Sequence, residues 1–588
     1  MGCSHTCGEF GVFSHVCGCV AHTYAYVGSL FAYEPVLRGL QSMTQAPFEE
    51  EIVHGLSRLP PDYGVDIDAP EEVQRQINKL DESQQHALGI ALNKRVALIQ
   101  GPPGTGKTYI GVILAQMILH STDETILCVC YTNHALDAFL EDLLDGGITN
   151  IVRMGGASKS QRLAEYNLHE KCKTKAKWTR DQNKRYAQLK GAIEEAERDI
   201  STLGRKVAMA IGPKWWRTVS EHLEDTNYEH LEQLRVDERD DGYQVKGEGG
   251  ADHLWKRWLK GESPGKIYAG RSNQSLWRMR KDERVCLKHK WQSEIHEPYR
   301  TRLADAMKAI ESAKSEIKGL ESMKDALVLR QTRVIGCTTT KAAMCKDLLD
   351  DVAAGVVLVE EAAEIMEAHV LTSVSAKCKH LIMIGDHKQL RPKAEYYPLS
   401  VESERGFDLN ISLFERLASK IPIATLSVQH RMHPEISAIP KLTTYPNLID
   451  ANDVKDITNN PPVKGVLSRV VFVDHKHEED GQSGADGEGV SKTNAHEVKM
   501  VVKTVRYMIQ QGYMPKDLVV LTPYLGQLLK LQEALAADDN KVLVGDLDFY
   551  EARNKLEGVA GFDVTKMGGG GKPAVDESSD TSVRVATM

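Results

Sequence analysis

The stretch "RVALIQGPPGTGKT", residues 95–108, joins an apolar run of strand formers to a glycine-rich turn and a lysine–threonine pair. Residues 101–108 fit G-x-x-x-x-G-K-[ST] directly behind a strand. The glycines let backbone N–H groups curl around phosphate oxygens, and a helix starting at Lys107 adds positive potential at its N-terminus. Gly101, Gly104, Thr105 and Gly106 are therefore candidate phosphate-cradling residues. Lys107 is the candidate for the β- and γ-phosphates, and the Thr108 hydroxyl for Mg²⁺. The expected ligand is ATP.

Such a turn needs acids to complete it. "VVLVEEAAEIMEAHV", residues 356–370, is a strand that ends in two carboxylates and runs into a helical pattern. A strand ending in acids on the neighbouring position is the second half of a P-loop site. Glu360 would hold Mg²⁺ and Glu361 would orient or deprotonate the attacking water. Acids at a strand end also cap a following helix, but two of them beside a P-loop favour the chemical role. Glu360 stands where most such enzymes place the shorter Asp.

Around these two stretches, strands alternate with amphipathic helices: "ILCVCY", a helix to about 144, "NIVRM", then "RVIGCTTT" at 333–340 and "HLIMIG" at 380–385. This alternation predicts a parallel sheet with crossover helices. Residues 158–328 break it with charged helical runs, which read as paired helices inserted into the α/β domain. All seven tryptophans of the chain fall there. "HLWKRWLKG" interleaves rings and bases and could stack nucleobases, but the expected role of the rings is the insert's own small core. A second α/β segment is expected from 421, with strands "RVVFVDH" (469–475) and "DLVVLTPY" (517–524) around a helix at 494–511, and loops at 475–490 and 561–580.

With 588 residues the chain exceeds one core on the prior of ~150 residues per domain. A net charge of -9 argues against wholesale wrapping by nucleic acid but not against a local basic channel. The eleven cysteines do not form a disulfide framework; Cys128, Cys130 and Cys337 sit in apolar strand-like runs as small hydrophobes. Cys3, Cys7, Cys17 and Cys19, among His5, His15 and His22, lack the paired spacing of a zinc site. Residues 10–33 carry no charge, yet their histidines and glycines and the missing preceding Lys or Arg fit neither a membrane span nor a signal peptide. A cytoplasmic or nuclear location without membrane contact follows by default.

"LDESQQHAL" (80–88), "GPPGTGKT", "YTNHALD" (131–137), "GCTTTKAA" (336–343), "EEAAE", "IGDHKQLRP" (384–392) and "VQHRMHPEI" (428–436) occur in one order. In that order the chain resembles superfamily 1 helicases of the up-frameshift and senataxin type. "EEAAE", "GDHKQLRP" and "QHRM" look most like the zinc-finger NFX-type helicases. The resemblance covers residues 80–155 and 330–530. It implies two RecA-like P-loop NTPase lobes, the second incomplete, with a helical insertion in the first. The implied segments are an accessory remnant (1–79), lobe 1 (80–157 and 329–420), the insertion (158–328) and lobe 2 (421–588).

The resemblance also implies roles. Gln84 would read the adenine edge, for which an amide offers paired donor and acceptor. Asp386 and Gln389 would link the γ-phosphate to the second lobe, with Gln389 sensing the attacking water. Arg431 matches an arginine finger, and His430 would stack beside the adenine. Thr132, Asn133, Thr338, Thr339 and Thr340 match segments that touch the sugar–phosphate backbone of a single strand, as do Thr522, Pro523 and Tyr524. The implied activity is an ATP-dependent RNA helicase or translocase acting on single-stranded RNA, by analogy in RNA silencing or surveillance with proteins of a silencing complex. Two alternatives stand beside it: an ATP-regulated RNA clamp that turns over little, and a DNA helicase. The chain ends "TSVRVATM", ahead of the D-x-[FY]-Q-G-E-E segment and second arginine of the family, so the resemblance leads us to expect a C-terminal truncation.

Overall fold

The computed structural model describes residues 33–56, 71–156, 158–235, 252–264, 274–394, 396–456, 458–480, 492–537, 541–544 and 582–587. The Cys/His cluster, most of the uncharged stretch 10–33, most of the loop 475–490 and the loop 561–580 lie outside the described residues. The chain divides into two units, 1–101 with 107–426, and 102–106 with 427–588.

The first unit opens with helices α1 (Glu34–Ser42) and α2 (Glu82–Asn93). Asp81 and Gln84 start α2 with reciprocal side-chain-to-backbone hydrogen bonds, a capping box. The α/β alternation follows: β1 (Val96–Gln100), α3 (Lys107–Ser121), β2 (Ile126–Cys130), α4 (Asn133–Asp145) and β3 (Ile151–Arg153). After an insertion come β4 (Val334–Thr338), α5 (Thr339–Met344), β5 (Val356–Val359), α6 (Glu367–Ser373), β6 (His380–Gly385) and β7 (Ile423–Thr425). The seven strands are parallel in the order β3-β4-β2-β5-β6-β1-β7. Every residue of β1 and β2 is buried, as a sheet covered by helices on both faces requires. Alternate side chains serve two cores: Leu98 and Val129 face one, Ala97, Ile99 and Cys128 the other. Cys128, Cys130 and Cys337 are free and buried.

Two sequence expectations change in this sheet. The acids of β5 do not end the strand next to the P-loop strand; β6 lies between them, because β1 pairs with β6 and β5 with β6. Strand β7, expected in the second lobe, pairs with β1 and extends the first sheet, so the unit boundary falls after Leu426.

The insertion pairs two long helices, Arg180–Ile211 and Lys281–Leu329. The second has 49 residues, about 74 Å at 1.5 Å per residue. Arg185 and Glu316 bridge the two helices at 2.6 Å. Six of the seven tryptophans build a separate core, in which Trp255, Trp258 and Trp291 are buried with Val219, Leu223 and Leu234. Trp258 stacks on Trp291 with ring centroids 5.4 Å apart, and its Nε1–H donates to the Leu276 carbonyl at 3.0 Å. Rings committed in this way are not free to stack nucleobases.

The second unit carries β8 (Val428–Gln429) paired with β9 (Ile449–Asp450), and a three-stranded parallel sheet in which β10 (Val519–Thr522) and β11 (Lys541–Val544) flank β12 (Ser582–Thr587). Helices Ala495–Gln510 and Leu525–Ala537 cover it, with Val498, Val505, Leu528, Leu535, Val583 and Val585 in the core. The expected strand 469–475 does not form. Phe472 is 88% exposed, and the segment pairs with no strand among the described residues. Alternating apolar residues suit a strand, but a strand also needs a neighbour for its backbone N–H and C=O groups.

Candidate active site

In the first unit, the end of β1, the start of α3, and the ends of β5 and β6 converge. Lys107 Nζ lies 3.0 Å from Glu361 Oε2, pairing the P-loop lysine with the second acid. Glu361 is held at φ +50°, a left-handed backbone rarely adopted outside glycine and concentrated at functional sites. Glu360 points inward instead. Only 4% of it is exposed, and its Oε1 has no hydrogen-bond partner among the described residues. Burial, then the charge of Glu361, pushes its carboxyl up to about 8. Gly111 on α3 makes room for it, since a Cβ there would lie 3.0 Å from Glu360 Oε1.

At the end of β6, the buried Asp386 accepts from Gln100 Nε2 at 3.0 Å and Gln389 Nε2 at 2.8 Å. The exposed Gln389 is thereby tethered to Asp386. Gln84 is buried, and its Oε1 accepts the Asp81 N–H at 3.2 Å, so part of the amide expected to read adenine serves its own helix start.

The second unit includes Pro102–Gly106, and there the P-loop turn meets the "VQHRM" segment. Gly104 (φ +80°) and Gly106 (φ +82°) adopt the conformation that a phosphate-wrapping turn needs. The His430 N–H donates to the Gly104 carbonyl at 2.8 Å. A Cβ on Gly104 would sit 2.6 Å from Arg431 Cβ, so Arg431 lies against the turn. The Arg431 side chain is exposed and forms no hydrogen bond or ion pair among the described residues. The imidazole of His430 faces Asp453 at 3.3 Å.

Two residues absent from the sequence expectations hold these groups. Gln429 is fully buried; its Oε1 accepts the Arg431 and Met432 N–H groups at 2.9 and 2.7 Å, and its Nε2 donates to Asp450 at 2.8 Å. A polar residue between Val428 and His430 at a strand end was the available signal. Arg153, also fully buried, donates to Asp137 at 2.7 Å and to Asn133 Oδ1 at 2.9 Å, locking the start of α4. No local pattern marks that pair.

The strand-contacting candidates separate on burial. Thr132 and Asn133 are exposed at the N-terminus of α4, where Thr132 caps Ala135. Thr338 caps α5, and Thr340 is partly exposed. Thr339 is fully buried and Thr522 is 4% exposed, so both side chains are almost wholly covered by the protein. Their neighbours in the motifs occupy the surface positions instead. Tyr524 is exposed, with Lys492 over its ring at 5.6 Å.

A family model described as "AAA domain" matches residues 79–394, more than half of the chain, and a second of that description matches 409–555. The chain belongs to this AAA-domain family. The two matches along one chain agree with the expected up-frameshift type of superfamily 1 helicase and with a P-loop ATPase fold of two RecA-like lobes. It is 28% identical over 609 residues to "NFX1-type zinc finger-containing protein 1" of Homo sapiens, covering 80% of this chain and 31% of that protein. "Helicase required for RNAi-mediated heterochromatin assembly 1" of Schizosaccharomyces pombe is 25% identical over 605 residues, 88% of this chain and 59% of that protein. The Caenorhabditis elegans homolog of the first is 24% identical over 633 residues, covering 81% of this chain and 25% of its own length. The chain thus spans between a quarter and three-fifths of these relatives. Among the described residues no helix is long and apolar enough to cross a membrane.

Proposed function

We propose that the chain hydrolyses ATP and couples the reaction to movement along single-stranded RNA. The observation that carries this reading is the pairing of Lys107 with Glu361 at the P-loop, together with Arg431 packed against Gly104 of the same turn. Backbone N–H groups of 104–108 cradle the phosphates, and Lys107 neutralises the β- and γ-oxygens. Glu361, positioned by its left-handed backbone, accepts a proton from the attacking water. Gln389, tethered to Asp386, orients that water. Arg431 stabilises charge developing on the transferred phosphoryl group, an effect worth about 10³–10⁵ in rate. Thr132, Asn133, Thr338, Thr340 and Tyr524 face the strand, and His430 stacks beside the adenine.

Thr108 and Glu360 would hold Mg²⁺. The unpartnered Oε1 of Glu360 fits that role. When bound, the ion neutralises charge shared by the two phosphates.

The test measures phosphate release with and without single-stranded RNA. RNA-stimulated release that falls about 10³-fold or more in Arg431→Ala, and is lost in Lys107→Ala and Glu361→Gln, supports the motor. Arg431→Lys should not restore it, because a point charge replaces a planar fork. Unchanged release in Arg431→Ala overturns the assignment. A second reading, an RNA clamp with little turnover, draws on the buried Glu360, whose carboxyl is pushed towards its protonated form. RNA binding without stimulated release would favour it. Equal stimulation by single-stranded DNA would instead indicate a strand reader blind to the 2′-hydroxyl. A place in RNA silencing, with partners from such a complex, is supported by the name of the S. pombe relative.

A further inference from the structure

A cavity of about 130 Å³ opens on the first unit, lined by no residue of the P-loop turn, which is room for several waters. Tyr33, Tyr131, Met366 and Pro392 give it apolar walls, and Thr340, Glu364, His369 and Lys393 supply polar groups. His369 is 6% exposed, and its Nδ1 has no hydrogen-bond partner among the described residues. A buried ring nitrogen left unpaired is unfavourable unless a ligand meets it. Tyr33 sets its ring edge-to-face against His369, centroids 5.9 Å apart. Burial keeps that imidazole on the neutral side. Flat apolar walls with a neutral hydrogen-bonding ring at the back suit a planar heteroaromatic ligand.

Position identifies the source of that ligand. Tyr131 directly precedes Thr132, and Thr340 ends the "TTT" run that begins at Thr338. Both are strand-facing segments under the proposed function, on which this inference rests. We propose that the cavity receives one unpaired nucleobase of the bound strand. The base lies against Tyr131 and Tyr33 and meets the His369 nitrogen through its ring edge. The segment 361–366 carries both Glu361 and the pocket wall at Glu364 and Met366, so the base sits a few residues from the catalytic turn.

The experiment compares binding of a single-stranded RNA 12-mer with an abasic 12-mer of the same phosphate count, at one salt concentration. Phosphate contacts act on both strands; the pocket acts on one. Wild-type protein should prefer the base-bearing strand by tenfold or more, as the stacking of one base allows. Tyr131→Ala, an exposed position, and Tyr33→Ala should each cut that preference severalfold, and His369→Phe should reduce it while keeping a ring in place. Retained binding to the abasic strand confirms a folded variant. A preference that stays at the wild-type value in all three variants, with abasic binding intact, overturns the pocket. Competition by free guanosine or adenosine at micromolar concentration overturns the strand as the source. Wild-type protein that binds neither strand overturns the proposed function itself, and the strand-derived base with it.

Discussion

Burial pushes the Glu360 carboxyl up to about 8, and this has a measurable consequence. Such a group holds its proton more tightly in the folded chain than in the unfolded one. Its contribution to stability is therefore greatest below about pH 4.5 and is lost as pH rises towards 8. Between pH 6 and 8 the wild type should lose stability relative to Glu360→Gln, with no further divergence above that range. Parallel thermal melts of the two proteins check it. Mg²⁺ affinity should rise over the same interval, because only the carboxylate ligates. Gly111 belongs to this carboxyl as much as to its helix. Gly111→Ala brings a methyl 3.0 Å from both Glu360 Oε1 and the Phe139 ring, and should destabilise by about 1–3 kcal/mol in urea unfolding.

The turns and helix starts of the proposed site are each held by a side chain from elsewhere in the chain. In the P-loop, Gly104 combines φ +80° with the approach of Arg431. Gly104→Ala should lower ATP affinity tenfold or more in a fluorescent-nucleotide titration, and cost about 1–3 kcal/mol of stability. The start of α4 depends on the buried Arg153–Asp137 pair. Arg153→Met leaves a buried carboxylate without its cation and should cost about 3–5 kcal/mol, read from urea unfolding. The strand-to-turn-to-helix order around Lys107 was legible because glycine, β-branched residues and apolar runs act on their immediate neighbours. The same signals misassigned 469–475, where the apolar alternation lacks a partner strand.

All seven tryptophans lie in the insertion, and Trp255, Trp258 and Trp291 form a core distinct from the two that face the first sheet. Tryptophan fluorescence therefore reports the insertion, whereas far-ultraviolet dichroism reports every helix. ATP with Mg²⁺ at a hundred times its dissociation constant should stabilise the lobe that binds it by about 2.7 kcal/mol. The dichroism transition should shift upward while the fluorescence transition stays in place. Movement of both together would show that the helix 281–329, which runs from Trp291 to Leu329 in the first core, fuses the two into one cooperative unit.

Chain-local physics was enough to place the parallel sheet, the phosphate turn, the paired acids and the helical insertion, since each depends on residues adjacent along the backbone. Other features required the folded chain. These are the position of β6 between the P-loop strand and the acids, the burial of Thr339 and Thr522, the inward aim of Glu360, the approach of Arg431 to Gly104, and the cavity at His369. Each is set by groups far apart in the chain. Burial, local dielectric and hydrogen-bond partners exist only once those groups meet.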